Sequence, residues 1–263
     1  MNETTNEVLG FYADELLKAF GDDLVGVYAT GSLAVGDYYE GKSDKDLTVV
    51  LKQPVGSDKA KELLALHRLL EKKYPKAKVE SQYVTLGELS RDTAEIEPIL
   101  AYHDRKMSRS YFNVNPVTWL TLRDYGLTVA GLPAAELGIT TTVEETVAYV
   151  KANVEGYWQS WAARAKSNRR LLGIYSLSDA AIEWGVSGIS RMLYTVNEGR
   201  IASKDAALEY MMEKSPQKHQ AILGEALRIR SGQGVKAYRS RFQRRREMIG
   251  YMEYVIALVL AKA

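Results

Sequence analysis

The stretch GVYATGSLAVGDYYEGKSDKDLTVV, Gly26 to Val50, decides how this chain is read. Val25, Val27 and Tyr28 lead into Gly31-Ser32, and the apolar run Leu47 to Leu51 follows Asp44 and Asp46. The pattern reads as strand, Gly-Ser turn, short helix, loop and strand. Residues two apart in a strand share a face, so Asp44 and Asp46 point together while Lys45, Leu47 and Val49 point the other way. Two adjacent carboxylates repel unless a cation sits between them, and hard oxygen donors suit Mg²⁺. Gly31-Ser32 offers backbone N–H groups and a hydroxyl where a helix begins, a place for phosphate. A phosphate cradle beside a two-carboxylate metal site is the apparatus of phosphoryl or nucleotidyl transfer. The competing reading is a hairpin edge with two solvated aspartates.

The bounds agree with an enzyme of moderate size. The chain has 263 residues, 46 % of them apolar, enough for one large domain or two modest ones with real cores. A formal net charge of +2 argues against a dedicated nucleic-acid binder. With no cysteine, disulfides, thiol catalysis and Cys-based zinc sites are excluded. The N-terminus lacks the form of a signal peptide, and no apolar run approaches the ~20 residues of a membrane span. A cytoplasmic protein, monomeric and away from membranes, is expected.

Outward from the opening stretch, Thr4 to Phe20 has helical spacing, Lys59 to Tyr74 is a second helix stopped by Pro75, and Lys78 to Val84 is a third strand. A helix between strands Leu47–Leu51 and Lys78–Val84 makes a crossover that places one beside the other. Glu80 can then face the Asp44/Asp46 pair, either as a general base or as a further metal ligand. Gln82 and Glu88 are its nearest competitors. Leu86 to Met107 has no clear period. Val117 to Tyr125 reads as a helix, and Gly126 to Pro133 as a short apolar segment with a turn. From Val143 onward the pattern is helical only: Val143 to Lys166, Leu177 to Asn197, Ser203 to Lys214 with Ser203 as N-cap, Gln217 to Ser231, and Val235 to Lys262. The expected organisation is an N-terminal mixed-sheet α/β domain, residues 1–140, followed by a C-terminal helical bundle, 141–263.

Gly31-Ser32 with Ser43-Asp44-Lys45-Asp46-Leu47 resembles the Gly-Ser…Asp-x-Asp signature of DNA polymerase β-like nucleotidyltransferases. Two departures stand out: Lys45 holds a position usually apolar, and the spacer is long and acidic. Further on, Arg191 to Glu209 with Lys214-Ser-Pro216, and Gly131-Leu-Pro133-Ala-Ala-Glu-Leu, are similar to segments of the aminoglycoside nucleotidyltransferases, the streptomycin/spectinomycin adenylyltransferases in particular. The resemblance implies that Asp44 and Asp46 hold Mg²⁺, two ions in the family. It implies that Gly31, Ser32 and Ser43 contact ATP phosphates or the metal shell, and that Glu80 is the base. Arg191 and Lys204 would reach the triphosphate from the helical domain, with Thr195 one turn beyond Arg191. Cations brought by a closing second domain would stabilise the leaving pyrophosphate. Arg230 falls where the family places an aromatic against adenine.

The implied acceptor is a hydroxyl of a cationic, aminoglycoside-type small molecule, and the implied role is antibiotic resistance. No tryptophan matches the family's pocket position; Tyr102 or His103 is the candidate replacement. Ala181 stands at the family's acidic position, flanked by Asp179 and Glu183, which share a helix face and can bind ammonium groups or simply open a helix. The alternative is a nucleotidyltransferase acting on RNA ends, on a protein or on another metabolite. The run Arg239, Arg241, Arg244, Arg245, Arg246 reads either as a solvated helix face or as a surface for an acidic partner or nucleic acid. Trp119 and the Tyr157, Trp158, Trp161, Trp184 group read as core.

Overall fold

Val8, Leu9, Tyr12, Ala13 and Leu16 recur at helical spacing and form the buried face of α1 (Glu3–Phe20) in a computed structural model that describes residues 3–167 and 171–262. The chain then runs through β1 (Leu24–Ala29), α2 (Gly31–Ala34), β2 (Lys45–Leu51), α3 (Ser57–Lys73), β3 (Val79–Thr85), β4 (Ile99–His103), β5 (Lys106–Ser110), α4 (Pro116–Tyr125) and β6 (Leu127–Gly131). The sheet order is β5-β4-β3-β2-β1-β6. β2 and β3 are parallel, joined by the α3 crossover, while the β1–β2, β1–β6, β3–β4 and β4–β5 pairs are antiparallel. This is the mixed sheet that the sequence led us to expect.

The sheet has a core on each face. On one, α1 and α3 pack Leu16, Leu63 and Leu70 over Val27, Leu47, Val49 and Tyr83. On the other, Trp119 and Leu122 of α4 cover Tyr28, Val50 and Val84. The segment without clear period contains a hairpin, β4–β5. Its two-residue turn, Asp104-Arg105, has φ of 49° and 60°, the left-handed pair that matches strand twist. The short strands and exposed edge leave little apolar periodicity to read. Likewise the apolar segment before Pro133 is the edge strand β6.

Two units divide the chain, Met1–Thr142 and Val143–Ala263. The second is helical: α5 (Val143–Asn153), a π-helical turn (Val154–Trp158), α6 (Gln159–Ala165), α7 (Leu171–Tyr175), α8 (Asp179–Glu198), α9 (Lys204–Lys214), α10 (Gln220–Ser231) and α11 (Arg241–Leu260). Ser178, Ser203 and Ser240 cap α8, α9 and α11, each accepting a backbone N–H three residues on. The expected continuous helix over 143–166 is interrupted by the π turn. The last helix starts six residues later than expected, because Gly232 and Gly234 take positive φ and Ser240 supplies the cap. Trp158, Trp161 and Trp184 pack together; Trp158 stacks on Trp184 with centroids 4.4 Å apart.

The arginine run is not a solvated face throughout. Arg244 and Arg245 are buried, whereas Arg239, Arg241 and Arg246 are exposed. Arg244 Nη1 lies 3.1 Å from Glu225 Oε1 and Nη2 donates to Leu177 O at 2.9 Å, so the burial is compensated by acceptors.

Candidate active site

The parallel register pairs Asp46 with Glu80, Thr48 with Gln82 and Val50 with Val84. Register partners share a face, and Gln82 Nε2 donates to Thr48 Oγ1 at 2.9 Å along it. One end of this face is apolar and covered by α4; the Asp46/Glu80 end is only partly buried. Asp44, just before the strand, lies 3.8 Å from Lys78 Nζ, an exposed pair of small energetic weight.

Gly31 opens α2 against the Asp46 carboxylate. A Cβ here would lie 2.0 Å from Asp46 Oδ2 and would push that carboxylate aside, and φ is +54°, where the backbone favours glycine. Thr30 N donates to Asp46 O at 2.9 Å, tying the turn to the strand. Ser32 follows in the first turn, partly buried. Ser43 lies in the loop before β2, where its hydroxyl accepts from Tyr39 N at 3.1 Å.

Lys45 departs from the family pattern, and its environment explains how. It leaves β2 on the face opposite Asp46 and is fully buried. Its ammonium donates to Tyr38 Oη and lies 3.6 Å from Glu40 Oε1. Glu40 Oε2 also accepts from Thr5 Oγ1 at 3.0 Å, so the acidic spacer loop is held to β2 by this lysine and to α1 by Thr5.

Burial raises the Glu80 carboxyl above the usual carboxylate range, and the nearby Asp44 and Asp104 charges add to the rise; His103 and the Asp104 N–H oppose it. Glu80 Oε1 lies 3.6 Å from His103 Nε2 and accepts from Asp104 N at 3.4 Å. Glu80, His103 and Asp104 offer ligand atoms within 4.8 Å of one another. His103 and Asp104 reach Glu80 because the β4–β5 turn ends beside it. An Asp in a two-residue turn between short strands was the available sequence signal.

Tyr102 goes elsewhere. It pairs with Ser81, so it leaves from the face opposite Glu80. Its ring stacks on His67 with centroids 3.8 Å apart, and its hydroxyl donates to Glu71 at 2.8 Å. It still borders a concavity of about 330 Å³ that Asp44, Glu80, Asp104 and Arg105 also line. His67 is buried against Tyr12 and Tyr83, and burial pushes its imidazole down to about 3.

In the helical unit, Arg191 Nε donates to Ala202 O at 3.0 Å, and Thr195 is buried. Lys204 opens α9 at 3.5 Å from Glu183. Burial lowers the Lys204 ammonium; Arg230 and Arg191 add to the lowering, and Glu183 opposes it. Arg230, set by the resemblance near adenine, is buried, with Glu183 at 2.8 Å and Asp205 at 2.5 Å. Asp179 is held by Arg244 at 2.7 Å. Both acidic candidates for ammonium binding are thus paired with this chain's own cations.

Among the described residues the potential metal ligands brought within reach of one another are Glu80, His103 and Asp104, not the expected Asp44/Asp46 pair; Asp46 lies across the register from Glu80, and Asp44 just before the strand. The fold and this site define a nucleotidyltransferase-type protein. Two family models match in order: "Nucleotidyltransferase domain" over residues 13–112, and "Aminoglycoside adenylyltransferase, C-terminal domain" over 186–254. The chain belongs to the aminoglycoside nucleotidyltransferase family. Among solved structures it is similar to spectinomycin adenyltransferase AAD(9) from Enterococcus faecialis, determined with ATP and spectinomycin. The TM-score is 0.65 at 15 % identity, covering 93 % of this chain and 98 % of that one, a likeness of fold. No curated protein matches in sequence. No helix among the described residues is long and apolar enough to cross a membrane.

Proposed function

We propose that this protein transfers AMP from ATP to a hydroxyl of an aminoglycoside-type small molecule, with release of pyrophosphate. The observation that carries the reading is the Asp46–Glu80 register pairing beside Gly31. Asp44 and Asp46 are the residues that would hold Mg²⁺, which when bound neutralises charge on the nucleotide phosphates. Gly31, Ser32 and Ser43 contact the phosphates. Glu80 takes the proton as the acceptor oxygen bonds to the α-phosphorus and the α–β phosphoanhydride breaks. Its raised affinity for protons, from burial and from Asp44, suits it to that step. Arg191 and Lys204 are assigned to the triphosphate on the family resemblance.

One observation favours a second acceptor class. Asp179 and Glu183 are already neutralised by Arg244, Arg230 and Lys204, which leaves little acidic surface there for a polycation. An RNA end, a protein hydroxyl or a less basic metabolite is the alternative.

The test is pyrophosphate release with Mg·ATP across aminoglycosides and spectinomycin, with short RNA as a control. Drug-dependent release that is lost in Asp46→Asn supports the reading. Release with RNA alone transfers the acceptor assignment to the alternative, and no release with any acceptor overturns the proposed activity.

A further inference from the structure

The exposed part of the arginine run does not take part in the reaction above. Two of its members, Arg239 and Arg241, line a concavity of about 580 Å³ within the helical unit, formed by the starts of α8 and α11 and the irregular segment before α11. Lys236, Arg239 and Arg241 contribute exposed cations, and none of the three makes an ion pair among the described residues. Below them lies a charge-balanced layer. Arg244 and Arg228 face Glu225, and Arg244 also holds Asp179. The three upper cations therefore stand as uncompensated charge around a hollow, where mutual repulsion is relieved by a bound anion.

Two further features point the same way. Ser178 and Ser240, the N-caps of two 20-residue helices, both line the hollow, so two positive helix ends meet there. Arg244, 5 % exposed, also lines it, and its Nε is a buried donor with no acceptor among the described residues. Guanidinium groups in such number match phosphate oxygens better than isolated carboxylates.

We propose that this hollow binds a small anion carrying two or more phosphate groups, at a site separate from the residues assigned to nucleotidyl transfer. Its volume is in the range of small-molecule sites, and three uncompensated cations match about three negative charges. Asp179, the one carboxylate lining the hollow, is satisfied by Arg244 and does not oppose entry.

The experiment is calorimetric titration of the full chain with tripolyphosphate, in EDTA and without ATP. The Asp46→Asn chain and an Arg239→Ala/Arg241→Ala double variant are titrated in parallel. One-to-one binding that persists in Asp46→Asn and weakens at least tenfold in the double variant supports the site. Both arginines are exposed, so an unchanged melting temperature shows that the fold is kept. An Arg191→Ala/Lys204→Ala chain serves as a further control. No binding by the parent chain, binding indifferent to the double variant, or binding lost instead in Arg191→Ala/Lys204→Ala overturns the proposal. A 20-nucleotide RNA that binds through Arg239 and Arg241 when tripolyphosphate does not would overturn it in favour of a nucleic-acid surface.

Discussion

Asp46 and Glu80 stand opposite each other across β2 and β3, on a face whose other end is closed by Val50, Val84 and Trp119. The apolar end fixes the strands, and the polar end is left partly open. A carboxylate pair at that position is held by the sheet rather than by a loop, which suits chemistry that needs fixed geometry.

On the proposed function, Asp46→Asn is expected to lower turnover by about 10³-fold or more, because it would remove a charged metal ligand at the point where phosphate charge must be neutralised. Glu80→Gln is expected to cost about 10² to 10⁴-fold while nucleotide binding persists. Steady-state rates alongside ATP binding measure both. Full activity in Glu80→Gln would remove it as the base.

Gly31→Ala tests the close approach of α2 to Asp46. The added methyl meets Asp46 Oδ2, and the backbone sits at φ +54°. The strain should cost about 1–2 kcal/mol of stability, and the displaced carboxylate should cost most of the activity. A melting curve that drops a few degrees together with near-complete loss of turnover is the expected pair of results.

His67 should make the first unit sensitive to acid. Its folded pKa is lowered to about 3 by burial, against an ordinary value of 6.5. Below 6.5 the unfolded chain binds a proton that the folded chain does not, so stability falls as pH drops from 6.5 toward 3. The slope should approach about 1.4 kcal/mol per pH unit. Urea unfolding at pH 7 and pH 5 reads it, and His67→Gln should remove that component of the slope.

Glu225 is 1 % exposed and accepts from Arg228, Arg244 and the Ala237 N–H. Glu225→Gln removes the buried carboxylate that Arg228 and Arg244 share, leaving Arg244 only the exposed Asp179 as counter-ion, and should destabilise the helical unit by about 3 kcal/mol. Differential scanning calorimetry measures it.

Lys45→Met tests the opposite expectation. Lys45 is wholly buried on Tyr38, whereas Glu40 beside it is 39 % exposed, so an apolar chain of similar length at position 45 removes a buried charge and leaves its partner in contact with water rather than buried and unpaired. An unchanged or higher melting temperature is expected. A large fall would mean that the lysine is needed to anchor the loop over 37–43.

By itself the sequence determined the local elements. Helical spacing over Val8 to Leu16, the serine cap at Ser203, and the apolar run after Asp46 depend on residues close in the chain, so they were legible there. The Gly-Ser and Asp-x-Asp motifs were legible for the same reason. What faces what was decided only by tertiary structure. His103 and Asp104 lie 23 and 24 residues beyond Glu80 and reach it through a hairpin whose turn carries no apolar period. Tyr102, one residue from His103, goes to the opposite face, because strand side chains alternate and the register with Ser81 sets the parity. The arginine run divides into buried and exposed members according to where Glu225 and Leu177 O lie to receive Arg244, acceptors 19 and 67 residues away. Charge at a position is written in the sequence; whether that charge is compensated depends on packing across the fold.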